Sequence, residues 1–318
     1  MSEVQPHSNI PAPPRRGAWP SVAVVVATRD RPALLERAVR SIVGQDYPGD
    51  IDCVVVYDQV IPREPVQVPG SAGRQLRIMS NARTPGLAGA RNSGMSSGDT
   101  ALIAFCDDDD VWDSGKLHRQ VQLLEETGAE FVSCGVRVSH GDRVIVRMPP
   151  PSANLQQLAR ARLTGLHPST FVFRRSALEG LGLVDEQIPG SYGEDYDWLL
   201  RAAGRMPILS VQQALVDVYW HEQSFFAERW ETIPAALFYL LDKHPQLKAS
   251  SSGLARIQGQ IAFAQAAVKH RGEACRTSWR ALRNNPLERR AYLALAVASG
   301  TVPAASIVRL ANRRGRGI

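Results

Sequence analysis

The N-terminal part of the chain alternates between continuous apolar runs and an amphipathic segment. Ser21 to Thr28 (SVAVVVAT) and Ile51 to Tyr57 (IDCVVVY) are rich in β-branched residues, as strands buried on both faces are. We expect Asp30 to cap a helix between them, and this strand–helix–strand order predicts a parallel sheet with right-handed crossovers. After Pro32 the apolar residues of that helix fall on one stripe: Leu34, Leu35, Ala38, Val39, Ile42 and Val43.

Similar elements continue to about residue 225, and the pattern then becomes almost entirely helical. Glycine, serine and histidine residues between the apolar runs mark the predicted turns and helix ends. The further elements are a strand at Gln75 to Ser80, a glycine-rich helix within Gly86 to Gly98, a strand at Ala101 to Cys106, a helix capped by Ser114 and closed by Gly128, a hairpin around His140-Gly141-Asp142, a strand at Ser169 to Phe173 and a helix from about Glu194.

These patterns predict three regions: a flexible leader over residues 1–17, an α/β domain over 18–225 and a helical, basic module over 226–318. The fold class is therefore α/β, with a mostly parallel sheet flanked by helices and followed by helices alone. Residues 253–318 hold 12 Lys and Arg against 2 Asp and Glu, although the whole chain carries only +6. The rest of the chain is therefore mildly acidic, and we expect two modules with different roles.

Several classes of protein are disfavoured by what the sequence lacks. The N-terminus has no apolar stretch suited to a secretory signal, and no apolar run approaches the roughly 18 residues that span a bilayer. The four cysteines form no CxxC pair, which favours buried reduced thiols over zinc ligands or disulfides. GxGxxG and Walker A motifs are also absent. We expect a soluble, cytoplasmic protein.

Four consecutive aspartates, Asp107 to Asp110, directly follow the strand predicted at Ala101 to Cys106. Ligands of open α/β sheets bind beyond the carboxyl ends of the strands, so a site is expected here. Adjacent carboxylates repel one another unless a cation is bound, and an Asp-x-Asp spacing suits Mg²⁺ or Mn²⁺ together with phosphate oxygens. The alternative is a solvated acidic loop. The buried strand before the run and Trp112 after it favour the metal site.

Four stretches jointly resemble glycosyltransferase family 2, which has the GT-A fold. They cover about residues 22–205 in the family's order: VAVVVATRDRPALLERAVRSIVGQDYP, GLAGARNSGMSSGDTALIAFCDDDDVW, LHPSTFVFRRSALEGLG and GSYGEDYDWLLRAA. The resemblance implies an inverting enzyme that moves a sugar from a nucleotide sugar to an acceptor hydroxyl, with Mn²⁺ or Mg²⁺ as cofactor. The Gln-x-x-Arg-Trp signature of processive synthases is absent, which favours a single addition.

The resemblance also assigns residues to the donor and the metal. Asp58 would receive the imide of the base, but the acidic residue that usually precedes it is Tyr57 here, so the nucleobase stays open and a UDP-sugar is favoured. Asp109 falls at the metal ligand. His221 is a second metal candidate, weighed evenly against a packed or surface histidine. The donor-binding residues implied are Thr28, Arg29, Asp58, Arg91, Asn92, Asp107 and Asp108.

By the same resemblance, Glu194 and Asp195 are the catalytic acidic pair. Asp195 would be the general base that takes the proton of the acceptor hydroxyl while its oxygen attacks the anomeric carbon. Carboxylates in the first turn also stabilise a helix, and both roles can hold at once. Asp197 is expected to point elsewhere and to serve as a control. His167 is a weaker candidate for lining the acceptor or diphosphate cleft.

The basic end of the chain suggests a further partner. Its arginines could contact an anionic membrane at the inner face or a carrier, although a solvated tail is the commoner outcome. No nucleic acid is expected as a partner. The rival function is a catalytically degenerate GT-A-fold module that holds an anionic partner through its basic helices, without turnover or metal dependence. The arginines concerned are Arg309, Arg313, Arg314 and Arg316.

Overall fold

The computed structural model describes residues 19–65, 72–141, 143–219 and 230–313. Within these ranges, ten strands form one sheet. The strands are β1 (Val22–Thr28), β2 (Ile51–Tyr57), β3 (Arg74–Ser80), β4 (Leu102–Asp107), β5 (Val111–Trp112), β6 (Phe131–His140), β7 (Arg143–Arg147), β8 (Ser152–Ala153), β9 (Val172–Arg174) and β10 (Ile208–Tyr219).

Helices lie on both faces of this sheet and continue beyond it. Those in the α/β part are α1 (Pro32–Val43), α2 (Leu87–Met95), α3 (Lys116–Thr127), α4 (Leu155–Arg160), α5 (Leu178–Leu181) and α6 (Glu194–Ala203). The helices that follow β10 are α7 (Thr232–Lys243), α8 (Pro245–Ala249), α9 (Ser251–Ala267), α10 (Arg271–Asn284), α11 (Arg289–Ala298) and α12 (Ala304–Arg313). Short 3₁₀ turns occupy Pro168–Thr170, Arg175–Ala177 and Pro189–Ser191.

The sheet has the order β3-β2-β1-β4-β9-β6-β10-β5, with β7 beside β6 and β8 beside β10. The first four strands are parallel, as the strand–helix–strand pattern predicts, and β9 joins them antiparallel to β4. The carboxyl ends of β1, β2 and β4 therefore meet at one edge. This edge is where the acidic run leaves the sheet.

Side chains alternate between two hydrophobic cores along β1. Val22, Val24 and Val26 face the core formed with α1 and α3, whereas Ala23 and Val25 face the core formed with α2 and α6. Both faces of the sheet are covered, which explains why the strand sequences are continuously apolar. The predicted α/β class with a mostly parallel sheet and flanking helices is confirmed.

The helices after β10 share a core with the sheet. Residues of α7 and α9, including Leu240 and Ile261, belong to the same cluster as Phe105 of β4 and Trp198 of α6. A second, alanine-rich core lies among α9 to α12. The prediction that these helices pack against the α/β domain is therefore confirmed, whereas the predicted boundary near residue 225 lies outside the described residues.

Two predicted helix caps are wrong. The N-cap of α1 is Arg31 rather than Asp30, because Pro32 occupies the first turn and the Asp30 carboxylate pairs with Arg63 at 2.7 Å. The N-cap of α3 is Gly115 rather than Ser114. The Asp113 carboxylate accepts from the Gly115 backbone N–H at 3.1 Å, which turns the chain before the helix begins.

The other predicted elements are present with shifts of a few residues at their ends. The hairpin pairs β6 with β7, and Gly128 closes α3 in the left-handed conformation that favours glycine. The strand predicted at Ser169 to Phe173 is correct only from Val172, since a 3₁₀ turn precedes it. Pro168 fixes that turn, and the Thr170 hydroxyl donates to the His167 carbonyl at 2.6 Å.

Two further expectations concern the cysteines and the membrane. All four cysteines are free, and Cys53, Cys106 and Cys134 are buried, whereas Cys275 is exposed. Among the described residues, no helix is both long enough and apolar enough to cross a bilayer.

Candidate active site

The acidic run lies at the sheet edge where β1 and β4 end side by side. Ala27 of β1 is in register with Asp107 of β4, so the residues that follow each strand are neighbours. The buried Thr28 hydroxyl donates to Asp108 at 2.7 Å. The structure thus joins two predicted donor-binding residues directly, 80 positions apart in the sequence.

Two arginines neutralise much of the acidic run. The Arg31 guanidinium pairs with Asp108 at 3.3 Å and with Asp109 at 2.6 Å, and Arg91 pairs with Asp107 at 2.6 Å. The run is therefore not a set of four unpaired carboxylates. Arg31 was missed by sequence reasoning, although its position two residues after Arg29 in the TRDRP stretch could have drawn attention to it.

Burial raises the pKa of two aspartates in the acidic run. It raises the pKa of Asp108 to about 6, against the opposing effects of the Thr28 hydrogen bond and the Arg31 charge. Asp110 is only 1% exposed, and burial together with Asp107 and Asp109 raises its pKa well above the usual range. The buried end of the run therefore favours its protonated form unless a cation is near.

Three potential metal ligands converge below this edge. Ligand atoms of Asp107, Asp110 and His167 lie within 4.8 Å of one another. The His167 Nδ1 atom is 3.4 Å from an Asp110 carboxylate oxygen, and Ser169 donates to the same carboxylate at 2.5 Å. Burial lowers the pKa of His167, so its imidazole is neutral and keeps a lone pair for a metal. Asp109, the ligand implied by the resemblance, instead pairs with Arg31 at 2.6 Å.

Arg91 connects the acidic run to the predicted catalytic pair. Its side chain is 3% exposed, and its two guanidinium nitrogens bind Asp107 and Glu194, which are 87 positions apart in the chain. The face of Phe105 lies 5.2 Å from the guanidinium carbon. A single buried cation therefore fixes α2, the end of β4 and the start of α6 relative to one another.

The two members of the acidic pair differ in exposure and ionisation. Burial raises the pKa of Glu194 to about 7, although Arg91 lies against it. Burial would raise the pKa of Asp195 as well, but the charges of Arg162, Arg91 and His167 lower it below its ordinary value. Arg162 donates to Asp195 at 2.7 Å. Asp195 is thus ionised at neutral pH, with a side chain that is 10% exposed.

Asp197 points away from this pair, as predicted, but it is not a neutral control. Its carboxylate is fully buried and is held by His244 at 2.7 Å, Lys243 at 2.8 Å and Arg201 at 2.9 Å. Lys243 and His244 belong to the segment at the end of α7. Asp197 therefore ties α6 to the helices after β10, and its substitution is expected to affect the fold.

The predicted nucleobase residue lies beside an open cavity of about 440 Å³ at the ends of β2 and β3. Asp58 is buried and accepts from Asn81 and Gln59, each at 2.8 Å, and from the Gly86 backbone N–H at 3.1 Å. The Tyr57 hydroxyl donates to the Arg63 carbonyl at 2.7 Å. The cavity is lined by Tyr57, Gln59, Val60, Ile61, Pro62, Ser80 and Asn81.

The remaining predicted residues have different positions. Asn92 is fully buried, and its side-chain amide binds both backbone groups of Val184, at 2.8 and 2.9 Å, so it anchors the segment before α6. Arg29 acts on Asp58 through its charge and helps to lower the pKa of that carboxyl. His221 lies outside the described residues.

About half of the chain matches a known protein family. The family model "Glycosyl transferase family 2" matches residues 23–182. The succinoglycan biosynthesis protein ExoO of Rhizobium meliloti is 28% identical over 162 residues, which are 51% of this chain and 46% of that protein. The chain matches about half the length of the curated relatives it resembles.

Solved structures show the same fold at low sequence identity. S. aureus TarS 1-349 in complex with UDP-GlcNAc is 16% identical, with a TM-score of 0.56 over 93% of this chain and 92% of that one. The mannosyltransferase PcManGT from Pyrobaculum calidifontis, in complex with GDP-Man and Mn²⁺, is 19% identical, with a TM-score of 0.52 over 94% of this chain and 81% of that one. Since the family model spans half of the sequence, the chain belongs to glycosyl transferase family 2.

Proposed function

We propose that this protein is an inverting, metal-dependent glycosyltransferase that moves one sugar from a nucleotide sugar to an acceptor hydroxyl. One observation carries the proposal: the buried Arg91 joins Asp107 of the acidic run to Glu194 beside Asp195. A group that binds a diphosphate and a group that accepts a proton are thereby held in one rigid site.

The donor set suits a divalent cation. Two carboxylates and a neutral imidazole, from Asp107, Asp110 and His167, offer ligand atoms within 4.8 Å of one another, and oxygen and imidazole donors are compatible with Mn²⁺. Asp109 remains the ligand implied by the family resemblance. A bound cation would supply positive charge for the diphosphate that leaves. The P. calidifontis mannosyltransferase, which has the same fold and whose structure contains Mn²⁺, supports the proposal of Mn²⁺ as the metal.

The protein's own residues would position the donor and remove a proton. Thr28 and Arg31 fix Asp108 at the edge of the sheet, where the ribose and diphosphate are expected. The acceptor oxygen forms a bond to the anomeric carbon as the bond from that carbon to the diphosphate oxygen breaks. Its proton passes to Asp195, and the electron pair of the broken bond leaves with the nucleoside diphosphate.

Asp195 is the better base of the acidic pair for reasons of access. Glu194 is 3% exposed and is held by Arg91, so an acceptor could reach it only by displacing a buried ion pair. Asp195 is already ionised and faces Arg162, whose side chain is 38% exposed. A base that is ionised before the acceptor arrives needs no prior loss of a proton.

A UDP-sugar is the favoured donor. The S. aureus structure contains UDP-GlcNAc, whereas the P. calidifontis structure contains GDP-Man, so relatives of this fold accept both kinds of nucleotide. The cavity beside Asp58 is the proposed site of the base. The basic end of the chain is proposed to assist weak contact with an anionic surface.

Thermal stabilisation by nucleotides tests this proposal. The full chain is heated with UDP, GDP or dTDP, each with and without Mn²⁺. We expect UDP with Mn²⁺ to raise Tm more than either component alone, because ligands that bind only the native state stabilise it. Equal shifts with and without Mn²⁺ would argue against the metal, and no shift with any nucleotide would argue against a donor site.

A further inference from the structure

Two arginines lie against the ring of Tyr196, next to Asp195, and a third lies close to one of them. The guanidinium carbons of Arg162 and Arg256 lie 5.8 and 5.5 Å from the centre of the Tyr196 ring. Arg256 also donates to the Tyr196 hydroxyl at 3.0 Å. Arg290 lies close enough for its charge to act on Arg256. We refer to Arg162, Arg256 and Arg290 as the arginine cluster.

Helix α9 is built to bring the cluster together. Gly253 and Gly259 flank Arg256 at intervals of three residues and so lie on the same helical face. A Cβ atom at Gly253 would lie 2.0 Å from the Ala159 carbonyl oxygen, and one at Gly259 would lie 3.0 Å from the Arg290 side chain. These glycines therefore allow α4 and α11 to approach α9 on either side of Arg256.

The cluster has more positive charge than carboxylate partners. Arg162 pairs with Asp195, and Arg290 pairs with Glu288 at 3.2 Å. In the described part of the chain, no carboxylate lies within ion-pair distance of Arg256, whose hydrogen bonds go to the Tyr196 hydroxyl and to Gln260. Burial lowers the pKa of Arg256, and the charges of Arg162 and Arg290 act in the same direction, whereas Tyr196 and Glu288 oppose them.

Donor groups in the cluster are left without acceptors. The Nε atoms of Arg256 and Arg290 are buried and, among the described residues, make no hydrogen bond. An unsatisfied, buried N–H of a charged group is costly, so a structural role alone does not account for two of them in one place. Arginine forks that lack acceptors match the oxygens of a phosphate.

We propose that the arginine cluster binds a phosphate or diphosphate group of the acceptor and thereby holds its hydroxyl at Asp195. The inference rests on the proposed function, since it assigns a substrate class to that same site. A phosphate at the cluster would also draw Arg162 away from Asp195 and release the carboxylate for proton transfer. The acceptor is then a phosphate-bearing molecule rather than a neutral glycan.

Calorimetry with methyl phosphate tests the cluster directly. The probe is titrated into the full chain already saturated with UDP and Mg²⁺, so that the donor site is filled. We expect binding to the wild-type chain and a loss of about tenfold or more in affinity for Arg256→Gln, because a charge-assisted hydrogen-bond donor is removed. Arg256→Lys keeps the charge but not the guanidinium group, so its affinity for methyl phosphate should lie between those of the wild type and Arg256→Gln. It replaces Arg256→Gln as the test variant if the glutamine variant does not fold.

The matched control is Arg276→Gln, which removes the same charge from an exposed position on α10. It should bind methyl phosphate like the wild type. Equal losses in Arg256→Gln and Arg276→Gln, or no binding to the wild-type chain, would overturn the proposal. A wild-type chain that fails to bind UDP would count against the proposed function instead, so the two failures are distinguishable.

Binding to vesicles identifies whether the phosphate belongs to a lipid or to a water-soluble molecule. Vesicles of phosphatidylcholine with phosphatidic acid are compared with vesicles of phosphatidylcholine alone, for the wild type and Arg256→Gln. Retention of the wild type by phosphatidic acid, weakened in Arg256→Gln, supports a lipid-linked acceptor. Binding of methyl phosphate without any such difference between vesicles supports a water-soluble phosphate acceptor.

Discussion

The sheet edge and the helices after β10 hold their charges in different ways. At the sheet edge, Asp107, Asp108 and Asp109 meet Arg31 and Arg91, so acidic groups outnumber basic ones. Against the helices, the arginine cluster joins Arg256 of α9 and Arg290 of α11 to Arg162, which follows α4. This cluster has excess positive charge and few carboxylates. The first arrangement suits a metal and a diphosphate, and the second suits an anion.

The two regions meet at the predicted catalytic pair. Asp195 lies between the two regions: Arg162 pairs with its carboxylate, and Arg91, which binds the neighbouring Glu194, helps to lower its pKa. Asp197 on the same helix is bound by Lys243 and His244 from beyond β10. The predicted division into two modules with separate roles is thus crossed at α6.

Asp195→Asn should have the largest effect on transfer. The amide keeps the size of the side chain but cannot accept a proton at neutral pH, and the partly exposed Arg162 can still be solvated. Transfer should fall by a factor on the order of 10²–10⁴, with donor affinity unchanged. The measurement is the transfer rate together with calorimetric UDP affinity once an acceptor is identified.

The control for this variant is Asp242→Asn rather than Asp197→Asn. Asp242 is 81% exposed and pairs only with the exposed Lys248 among the described residues, so its loss should leave transfer unchanged. A near wild-type transfer rate in Asp195→Asn, or a defect explained by lost donor affinity, would mean that Asp195 is not the base.

Asp197→Asn should lower the stability of the protein, because Asp197 ties α6 to the helices after β10. Removing this charge leaves Arg201, Lys243 and His244 without their shared partner. The side chains of Arg201 and Lys243 retain some contact with water. We expect a loss of roughly 3 kcal/mol in the free energy of unfolding, near the lower end for a broken buried pair. Urea denaturation of the variant and of Asp242→Asn measures it, and similar midpoints for the two would contradict the role of Asp197.

The same network predicts a pH dependence. Burial alone would raise the pKa of Asp197. The hydrogen bond with His244 and the charges of Arg201 and Lys243 outweigh burial and lower the pKa from the ordinary 3.8 to about 2. Its stabilising effect is therefore complete above about pH 4 and is lost as pH falls towards 2. Asp197→Asn should lose less stability than the wild type over this acid range.

Asp109→Ala and His167→Ala distinguish two ways of holding the metal. Asp109 is the ligand implied by the family, whereas His167 belongs to the cluster with Asp107 and Asp110. Loss of a true ligand should weaken Mn²⁺-dependent UDP binding by about 10-fold or more, whereas loss of the other residue should cost much less. Both variants should fold, since Arg31 keeps Asp108 as a partner when Asp109 is removed. If calorimetry shows that the Mn²⁺-dependent affinity for UDP is unchanged in both variants, neither Asp109 nor His167 is a metal ligand.

Removing Asn312 to Ile318 should have the smallest effect. The segment follows most of α12 and carries three arginines, so its loss should weaken binding to anionic vesicles while sparing donor hydrolysis. Co-sedimentation and a hydrolysis assay measure the two effects. A correctly folded truncation that no longer hydrolyses the donor would show that the end of the chain is part of the catalytic machinery.

Much of the fold could be predicted from the sequence because local patterns determine it. The β-branched runs of β1 and β2 and the apolar stripe of α1 follow from burial alone. The predicted caps at Asp30 and Ser114 are wrong because the pattern does not show the competing contacts, such as the ion pair of Asp30 with Arg63, 33 residues away.

The site could be predicted only where a motif marks it. The acidic run and Glu194-Asp195 are contiguous in sequence, whereas Arg31 meets Asp109 across 78 residues and Arg162 meets Asp195 across 33. Such contacts depend on how strands and helices are ordered in the sheet. Arg256 is harder still to predict from the sequence, because its proposed role follows from the carboxylate partner that it lacks among the described residues.

Release of UDP from UDP-sugars by the wild-type chain tests the central claim most directly. The assay compares Mn²⁺ with an excess of EDTA, using UDP-GlcNAc and UDP-glucose at neutral pH, and Asp195→Asn as a second protein. The account predicts UDP release that requires Mn²⁺ and increases when a phosphate-bearing acceptor is added. Tight Mn²⁺-dependent UDP binding with no release from any donor would contradict it and would favour a degenerate binding module.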